Sequence, residues 1–324
     1  MKTTIIIPAY NEELTIEQTI VDFHEAAPDA VICVVDNNSS DKTGEIVRTV
    51  FARIASADSA STKNPKNVSS PHQLIFEPRQ GKSNAVRTAF MQVESDVYVM
   101  VDADATYSGK DLPALLQAFG ESRADMVVGD RHSSGDYGQE NTRPMHGFGN
   151  NLVRDLINFI FRVKLHDILS GYRVFSRRYV KSFPILSSGF ELEVEMTMHA
   201  LRSRLAVVEH AVSYKERPAN SFSKLNTVSD GFRVLLKIFN IVRYSRPLLF
   251  FGLVSLFFLL TGLVVGSVPV IEFIQTGFIK HFPMAILAVG LVVCGMLSFA
   301  AAVILDMLAY VDRKLSELRL LQLS

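Results

Sequence analysis

The chain has 324 residues, and its 33 Lys and Arg balance 33 Asp and Glu for a formal net charge of +0. That balance excludes a broad nucleic-acid surface, which needs excess positive charge, so any basic patch has to be local. The two cysteines are Cys33 in a strand-like run and Cys294 in a long apolar stretch, which argues against a disulfide framework or a Cys-rich metal site.

The chain opens on "MKTTIIIPAYNEE". Its apolar run is too short for a signal peptide and meets Pro8 and acids at once. It reads instead as a short β-rich strand. Glu13 to His24 follows with helical spacing, its apolar positions at Leu14, Ile16, Ile20, Val21 and Phe23. "AVICVVDNNSSDKT" is a second apolar strand that ends in Asp36, with turn residues behind it, and "GEIVRTVFARIA" reads as a helix. The stretch around Ala57 to Ser70 is rich in Ser, Lys, Asn and Pro and has no period, so it is expected to be an exposed, mobile loop. "LIFEP" resumes a strand. "QGKSNAVRTAFMQV" starts a helix at a glycine, and "VYVMVDADAT" and "DMVVGDR" are further strands. Gly149 to Val163 reads as a helix with Leu152, Leu156, Phe159 and Ile160 on one side, either packed in the core or turned to a lipid surface. Strands alternating with helices predict a mostly parallel sheet covered on both faces.

The apolar content then concentrates near the C-terminus. Pro247 to Val268 runs about 22 residues without a charge and Phe282 to Leu305 about 24. Each is long enough to cross the ~30 Å hydrocarbon layer as a helix. Arg233, Lys237, Arg243 and Arg246 precede the first span, and Arg313, Lys314 and Arg319 follow the second. The short loop between the spans holds only Lys280. By the positive-inside rule both ends of this integral membrane chain, and the domain before the spans, are expected to be cytoplasmic. Asp306 reads as a boundary residue at the cytoplasmic end of the second span. "SDGFRVLLKIFNIVRYSR" carries an apolar stripe of Phe232, Leu235, Leu236, Phe239 and Val242 with basic residues off it, the pattern of an interfacial helix. Gly262 and Gly266 form a Gly-x-x-x-Gly pair that permits close helix contact, within the hairpin or between chains of a homo-oligomer.

A second regularity lies at the strand ends. Asp36, Asp102 and Asp130 each follow an apolar run, and Asp104 stands one residue beyond Asp102. In an open parallel sheet the carboxyl ends of the strands line one edge, where ligands bind. Carboxylates gathered there repel one another unless something positive joins them. Hard oxygen ligands suit Mg²⁺ or Mn²⁺, with Asp102 and Asp104 as the expected ligands.

"IIIPAYNEE", "VVDNNSSDKT", "GKSNAVRTAF", "DADAT" and "GDR", in that order, resemble the family 2 glycosyltransferases. The later segments "HDILSGYRVFSRRYV", "GFELEVEMTMHAL" and "YKERPANSFSKLNTVSDGFRVLLKI" narrow the likeness to dolichyl-phosphate mannose synthase and the bacterial polyprenyl-phosphate glycosyltransferases. Processive polysaccharide synthases of this superfamily carry a Gln-x-x-Arg-Trp motif, and this chain has no tryptophan.

The resemblance implies a Rossmann-like catalytic domain of the GT-A type and a nucleoside-diphosphate-sugar donor, UDP- or GDP-linked. Asp36 would hydrogen-bond the base, with Pro8, Tyr10 and Glu12 shaping the base and ribose pocket, and Lys82 would reach the donor phosphates. Asp104 would bind the metal directly, with Asp102 facing the ribose or the metal shell. The implied acceptor is a polyprenyl phosphate, undecaprenyl or dolichyl. Arg131 and Arg143 match positions that bind its phosphate, and Arg217 and Lys224 are further candidates for acceptor or donor phosphates. Asp167 stands where related transferases carry a general base. Its role here is read as electrostatic or orienting, because a phosphate nucleophile is already ionised. His166 beside it reads as structural. Glu191 and Glu193, sharing a face if they lie on a strand, would touch sugar hydroxyls or cap the following helix.

The expected organisation is a glycosyltransferase domain over 1–230, an interfacial helix over 231–246, two transmembrane helices within 247–311 and a cytoplasmic tail over 312–324. The expected reaction is inverting transfer of one hexosyl or N-acetylhexosaminyl group to the lipid phosphate, at the cytoplasmic face of the cell envelope's membrane. The rival readings are a transferase for another lipid, such as diacylglycerol or ceramide, and a catalytically inactive nucleotide-sugar-binding scaffold.

Overall fold

In the computed structural model, residues 1–61, 72–133, 144–185, 192–215, 239–241, 243 and 246–323 are described. They divide into one unit of Met1–Leu225 with Arg319–Ser324 and a second of Asn226–Leu318.

The first unit is built on a seven-stranded sheet. Its strands are β1 (Thr3–Ala9), β2 (Val31–Asp36), β3 (Gln73–Phe76), β4 (Val97–Met100), β5 (Met126–Asp130), β6 (Arg173–Ser176) and β7 (Val207–Ala211). They lie in the order β3-β2-β1-β4-β6-β5-β7. All neighbours run parallel except at β6, which is antiparallel to both β4 and β5. The chain therefore enters β6 from the edge at which the parallel strands end, and the loop before β6 lies on that same edge.

Side-chain alternation sets what each face buries. Ile5 and Ile7 of β1, Ile32 and Val34 of β2, and Val97 and Val99 of β4 enter one core. That core is closed by Ile16, Ile20 and Phe23 of α1 (Ile16–Ala26), Val47, Val50, Phe51 and Ile54 of α2 (Thr43–Ser61), and Leu112, Leu115 and Phe119 around α4 (Leu112–Ser122). The intervening Ile6, Cys33, Val35, Tyr98 and Met100 enter the other core. They meet Ala85, Val86, Ala89 and Phe90 of α3 (Lys82–Gln92), Tyr179 and Val180 of α6 (Arg177–Ser182), and Leu192, Met196 and Ala200 of α7 (Leu192–Arg202). Burial pushes the Cys33 thiol up to about 12, so it acts here as a small apolar group.

The ladder between β1 and β4 stops at Ile6–Met100, whereas β1 stays paired with β2 as far as Ala9–Asp36. The two strands part at this point. Pro8 sits beyond it, where a missing N–H breaks no bond to β4.

Three readings differ from the structure. The helix α2 continues to Ser61, so the Ser/Lys-rich stretch begins inside a helix, and its remainder over 62–71 lies outside the described residues. The helix α5 (Pro144–Phe161) buries Val153, Ile157 and Ile160, whereas Leu152 is part-exposed and Phe159 is 81% exposed. Its buried row is thus turned one position from the expected one except at Ile160, which both share. Glu193 lies in the first turn of α7, not on a strand, and Glu191 lies outside the described residues.

The second unit holds α8 (Pro247–Thr276) and α9 (Phe282–Leu323) as far as Leu318, both helices longer than their uncharged runs. Each is long and apolar enough to cross a membrane, and in the most apolar window only 11% of α8 and 17% of α9 is buried. A soluble core helix is mostly buried, whereas these two are mostly open in those windows. The two helices pack through small residues. A Cβ on Gly262 would lie 2.9 Å from Val292 Cγ2, and one on Gly295 would lie 2.8 Å from Leu259 Cγ. Ser255 Oγ donates to the Gly295 carbonyl at 2.7 Å. Gly262 thus serves contact within the hairpin. Of the interfacial stripe, Phe239 is described and exposed. Phe232, Leu235, Leu236 and Val242 lie outside the described residues.

Candidate active site

The edge where β1, β2, β4 and β5 end gathers the charged groups of the first unit. Asp36 closes β2 and accepts from the Ser39 amide at 3.0 Å, while Asn38 takes a left-handed turn (φ 61°) that asparagine tolerates. A Cβ on Gly44, at the start of α2, would come within 2.9 Å of the other Asp36 oxygen. Pro8 is buried, Glu12 accepts from the Thr15 hydroxyl at 3.1 Å, and Gln80 donates to the Tyr10 hydroxyl at 3.1 Å. These residues lie along the neighbouring ends of β1 and β2, as a shared pocket requires.

Asn37 ties this pocket to the next connection. Its amide donates to the Arg79 and Glu77 carbonyls at 2.6 and 3.3 Å, and its oxygen accepts from the Gly81 amide at 2.6 Å. Gly81 has φ 123°, open to glycine but strained for other residues, and it launches α3 with Lys82 as the first residue. Lys82 Nζ is held between Asp102 Oδ1 and Glu193 Oε1, the latter at 2.6 Å. Burial alone would lower the Lys82 pKa, but the charges of Asp102 and Glu193 outweigh it and hold the ammonium well above its usual range.

Asp102 and Asp104 extend β4 past its last ladder pair. Asp104 is 4% exposed, and its Oδ1 accepts from the Thr106 amide at 3.2 Å and hydroxyl at 2.6 Å. Ala105 between them has φ 56°, a local strain of about 1–2 kcal/mol for a residue with a Cβ, of the sort kept at functional turns. Tyr107, next along, accepts from the Gly171 amide at 3.0 Å and meets Ser170 Oγ at 3.3 Å. Burial raises its pKa. The charges of Arg131, Asp102 and Asp167 all reach its hydroxyl, the first opposing the rise and the other two adding to it.

Asp167 and Arg131 form the second pole. Arg131 donates from Nε at 2.6 Å and Nη2 at 2.9 Å to the two Asp167 oxygens, a planar fork, and from its amide at 3.2 Å. The Arg131 side chain also lies over the Tyr214 ring at 5.3 Å. Burial would raise the Asp167 carboxyl, but the hydrogen bonds and charge of Arg131 win and hold it low. Asp167 is therefore ionised and engaged. An orienting role fits it, and proton abstraction does not. Arg131, expected to meet the acceptor phosphate, holds a carboxylate with its fork.

Two residues with no earlier mark build this loop. Glu209 on β7 accepts from the His166 amide at 2.8 Å and the Asp167 amide at 2.8 Å. Arg173, fully buried, donates to the Ser170 carbonyl at 2.8 Å, the Ile168 carbonyl at 2.7 Å and Thr197 Oγ1 at 3.0 Å on α7. A carboxylate within the strand "VVEHA" and an arginine opening "RVFS" are the only local signals. His166 Nδ1 lies 3.1 Å from Glu209 Oε2 and 3.8 Å from Asp130 Oδ2. Asp130, His166 and Glu209 have ligand atoms within 4.8 Å of one another, but these carboxylates already serve backbone amides at His132, His166 and Asp167. Arg143, Arg217 and Lys224 lie outside the described residues.

The donor set at the end of β4 fits a divalent metal in kind. It offers two hard carboxylates at one turn, with a glycine, Gly171, leaving room for the carboxylate of Asp102.

A doubly covered, mostly parallel sheet with an acidic rim answered by lysine and arginine is the plan of a sugar transferase. The family model "Glycosyl transferase family 2" matches residues 4–183, and the chain belongs to that family. It is 26% identical to glycosyltransferase AglJ of Haloferax volcanii over 311 residues, covering 96% of this chain and 94% of that one. It is 28% identical to undecaprenyl-phosphate mannosyltransferase of Micrococcus luteus over 225 residues, covering 67% and 85%. Among solved structures, glucosyl-3-phosphoglycerate synthase of Mycobacterium tuberculosis, in complex with Mn²⁺, UDP and glucosyl-3-phosphoglycerate, shares the fold. Its TM-score is 0.54 at 17% identity, covering 75% of this chain and 79% of that one.

Proposed function

We propose that this glycosyltransferase moves a single sugar from a nucleoside diphosphate to a polyprenyl phosphate at the cytoplasmic face of a membrane. The observation that carries the reading is that Asp102, paired with Lys82, and the Arg131–Asp167 pair all act on the Tyr107 hydroxyl at one rim, with Asp104 two residues from Asp102. The chain that holds this rim also matches a lipid-phosphate mannosyltransferase and carries two apolar helices able to span a bilayer.

The base and ribose are assigned to Asp36, Pro8, Tyr10 and Glu12. Asp102 and Asp104 would hold Mg²⁺ or Mn²⁺, which supplies charge to offset that of the departing diphosphate. Lys82 adds a fixed positive charge beside them. An oxygen of the lipid phosphate attacks the anomeric carbon as the bond from that carbon to the diphosphate breaks. The nucleoside diphosphate leaves, and the configuration at the carbon inverts. The attacking phosphate needs no base. It needs donors and positive charge held in place, for which Arg131, oriented by Asp167, is assigned through its remaining N–H groups, with Arg143, Arg217 and Lys224 as further candidates. The mycobacterial enzyme's complex with UDP makes a UDP-linked donor the first to test and a GDP-linked donor the second.

The test uses purified protein in detergent, a panel of UDP- and GDP-sugars and a short-chain polyprenyl phosphate. The expected result is nucleotide release that depends on the lipid phosphate, with a sugar-lipid product seen by mass spectrometry. Release that depends on diacylglycerol or ceramide instead, or no acceptor-dependent release with any donor, overturns the proposal.

A further inference from the structure

Lys82 stands at an unfavourable place for a cation. It is the first residue of α3, where the helix dipole and unpaired amides favour negative charge. Two carboxylates from distant parts of the chain offset that cost. Asp102 comes from the end of β4 and Glu193, 111 residues beyond Lys82, from the first turn of α7. The three side chains are 20%, 29% and 9% exposed, so they are partly withdrawn from water and their charges matter more than those of a surface pair. One ammonium answers two carboxylates, which leaves the trio with an excess of negative charge.

Asp102 is also one of the two carboxylates assigned to the metal. Its Oδ1 cannot serve Lys82 and a divalent ion on equal terms, because the two cations repel at such range. A lysine displaced from Asp102 with no other partner would leave a buried charge unpaired, a costly state. Glu193 removes that cost, since its carboxylate already touches Nζ. Arg173, buried and bonded to Thr197 in the second turn of α7, fixes the helix that carries Glu193.

We propose that Lys82 is a built-in cation that competes with the metal for Asp102, and that Glu193 is the positioning residue that retains Lys82 when Asp102 is loaded. The inference rests on the assignment of Asp102 and Asp104 to the metal. It gives the rim two balanced states. In one, lysine screens Asp102. In the other, lysine pairs with Glu193 beside the incoming diphosphate.

The test is direct Mn²⁺ binding to the full chain in detergent without nucleotide, followed by electron paramagnetic resonance of free Mn²⁺. Lys82→Met is expected to bind Mn²⁺ more tightly than the wild type, and Glu193→Gln more weakly, each by roughly fivefold or more. The double variant is expected to match Lys82→Met, because Glu193 acts only through the lysine. Lys82→Arg, which keeps the charge, is expected to stay within about twofold of the wild type. Circular dichroism verifies folding, and Glu193→Asp, expected to fall between wild type and Glu193→Gln, replaces the amide variant if that one misfolds. Unchanged or weaker Mn²⁺ binding in Lys82→Met overturns the proposal. So does a double variant weakened by the full Glu193→Gln factor, or a wild type that binds no Mn²⁺. Sugar transfer is assayed separately. Loss of the acceptor result with these shifts intact would sink the lipid-phosphate reading alone, and transfer with unshifted Mn²⁺ affinity would sink the lysine exchange alone.

Discussion

Gly171 stands against the carboxylate of Asp102 so closely that a Cβ built on it would overlap Oδ2. The glycine of "SGYR" therefore belongs to the rim as much as to its own loop. Gly171→Ala is expected to displace Asp102 and cut turnover by roughly 100-fold, the scale of a misplacement near 1 Å. The same change is expected to cost about 1–3 kcal/mol in stability through overpacking. Initial rates together with a melting curve test both, and a variant with wild-type rates would show that Asp102 does not need that place.

Asp104 makes the metal dependence testable. Asp104→Asn keeps the shape and an acceptor for Thr106 while removing the charge. Turnover is expected to fall by roughly 100- to 1000-fold with the fold retained. Excess chelator should abolish transfer by the wild type, and added Mn²⁺ or Mg²⁺ should restore it. Undiminished rates in chelator would remove the metal from the reaction.

The Arg131–Asp167 fork is almost fully withdrawn from solvent, at 11% and 2% side-chain exposure. Removing one partner of such a pair strands the other. Asp167→Asn is expected to lose about 3–5 kcal/mol, measured as a shift in the urea midpoint followed by circular dichroism. Arg131→Lys keeps the charge but not the fork and is expected to lose less, about 1–2 kcal/mol.

Glu77 gives an acid-stability signature. Hydrogen bonding from Arg79 lowers its carboxyl from 4.5 to about 2, and the nearly buried carboxylate also accepts from Thr88. A depressed folded-state pKa adds stability that is fully present above the unfolded value of 4.5 and is lost as pH falls toward 2. Glu77→Gln is expected to be less stable than the wild type at pH 7 and to show a flatter loss of stability between those two values. Parallel melting series from pH 7 to pH 2 decide it, and equal slopes would refute the assignment.

In the hairpin, a side chain on Gly262 would push against Val292 and Leu291. Gly262→Val is expected to destabilise the helix pair by about 1–3 kcal/mol. The melting temperature in detergent should fall, whereas Gly252→Ala, where a Cβ meets nothing within 4 Å, should leave it unchanged.

What was legible in the chain was whatever is written locally. An apolar run closing on Asp marks a strand end, and Asp36, Asp102 and Asp130 all stand where that rule puts them. The paired acids of "DADAT" point to a cation for the same local reason. Partners chosen across the fold leave no such mark. Glu193 meets Lys82 from 111 residues away, and a spacing of two fits a strand face as readily as a helix start. The fork of Arg131 was unreadable because an arginine's preference for phosphate is also a preference for carboxylate, and only folding brings Asp167 to it. The stripe on α5 was misplaced by one position because Leu152, Val153, Leu156 and Ile157 are all apolar. Periodicity alone cannot rank them, and the burial of Val153 and Ile157 does.

The reversed strand β6 has a consequence for how such enzymes diversify. Residues 131–172 connect the end of β5 to the start of β6, and the antiparallel pairing puts both of those points at the same edge of the sheet. This connection can lengthen, shorten or change composition without altering the register of any strand pair. Exchange of this one insert between relatives therefore leaves every other strand pair in place, which makes it a clean way to ask what the insert contributes to the reaction.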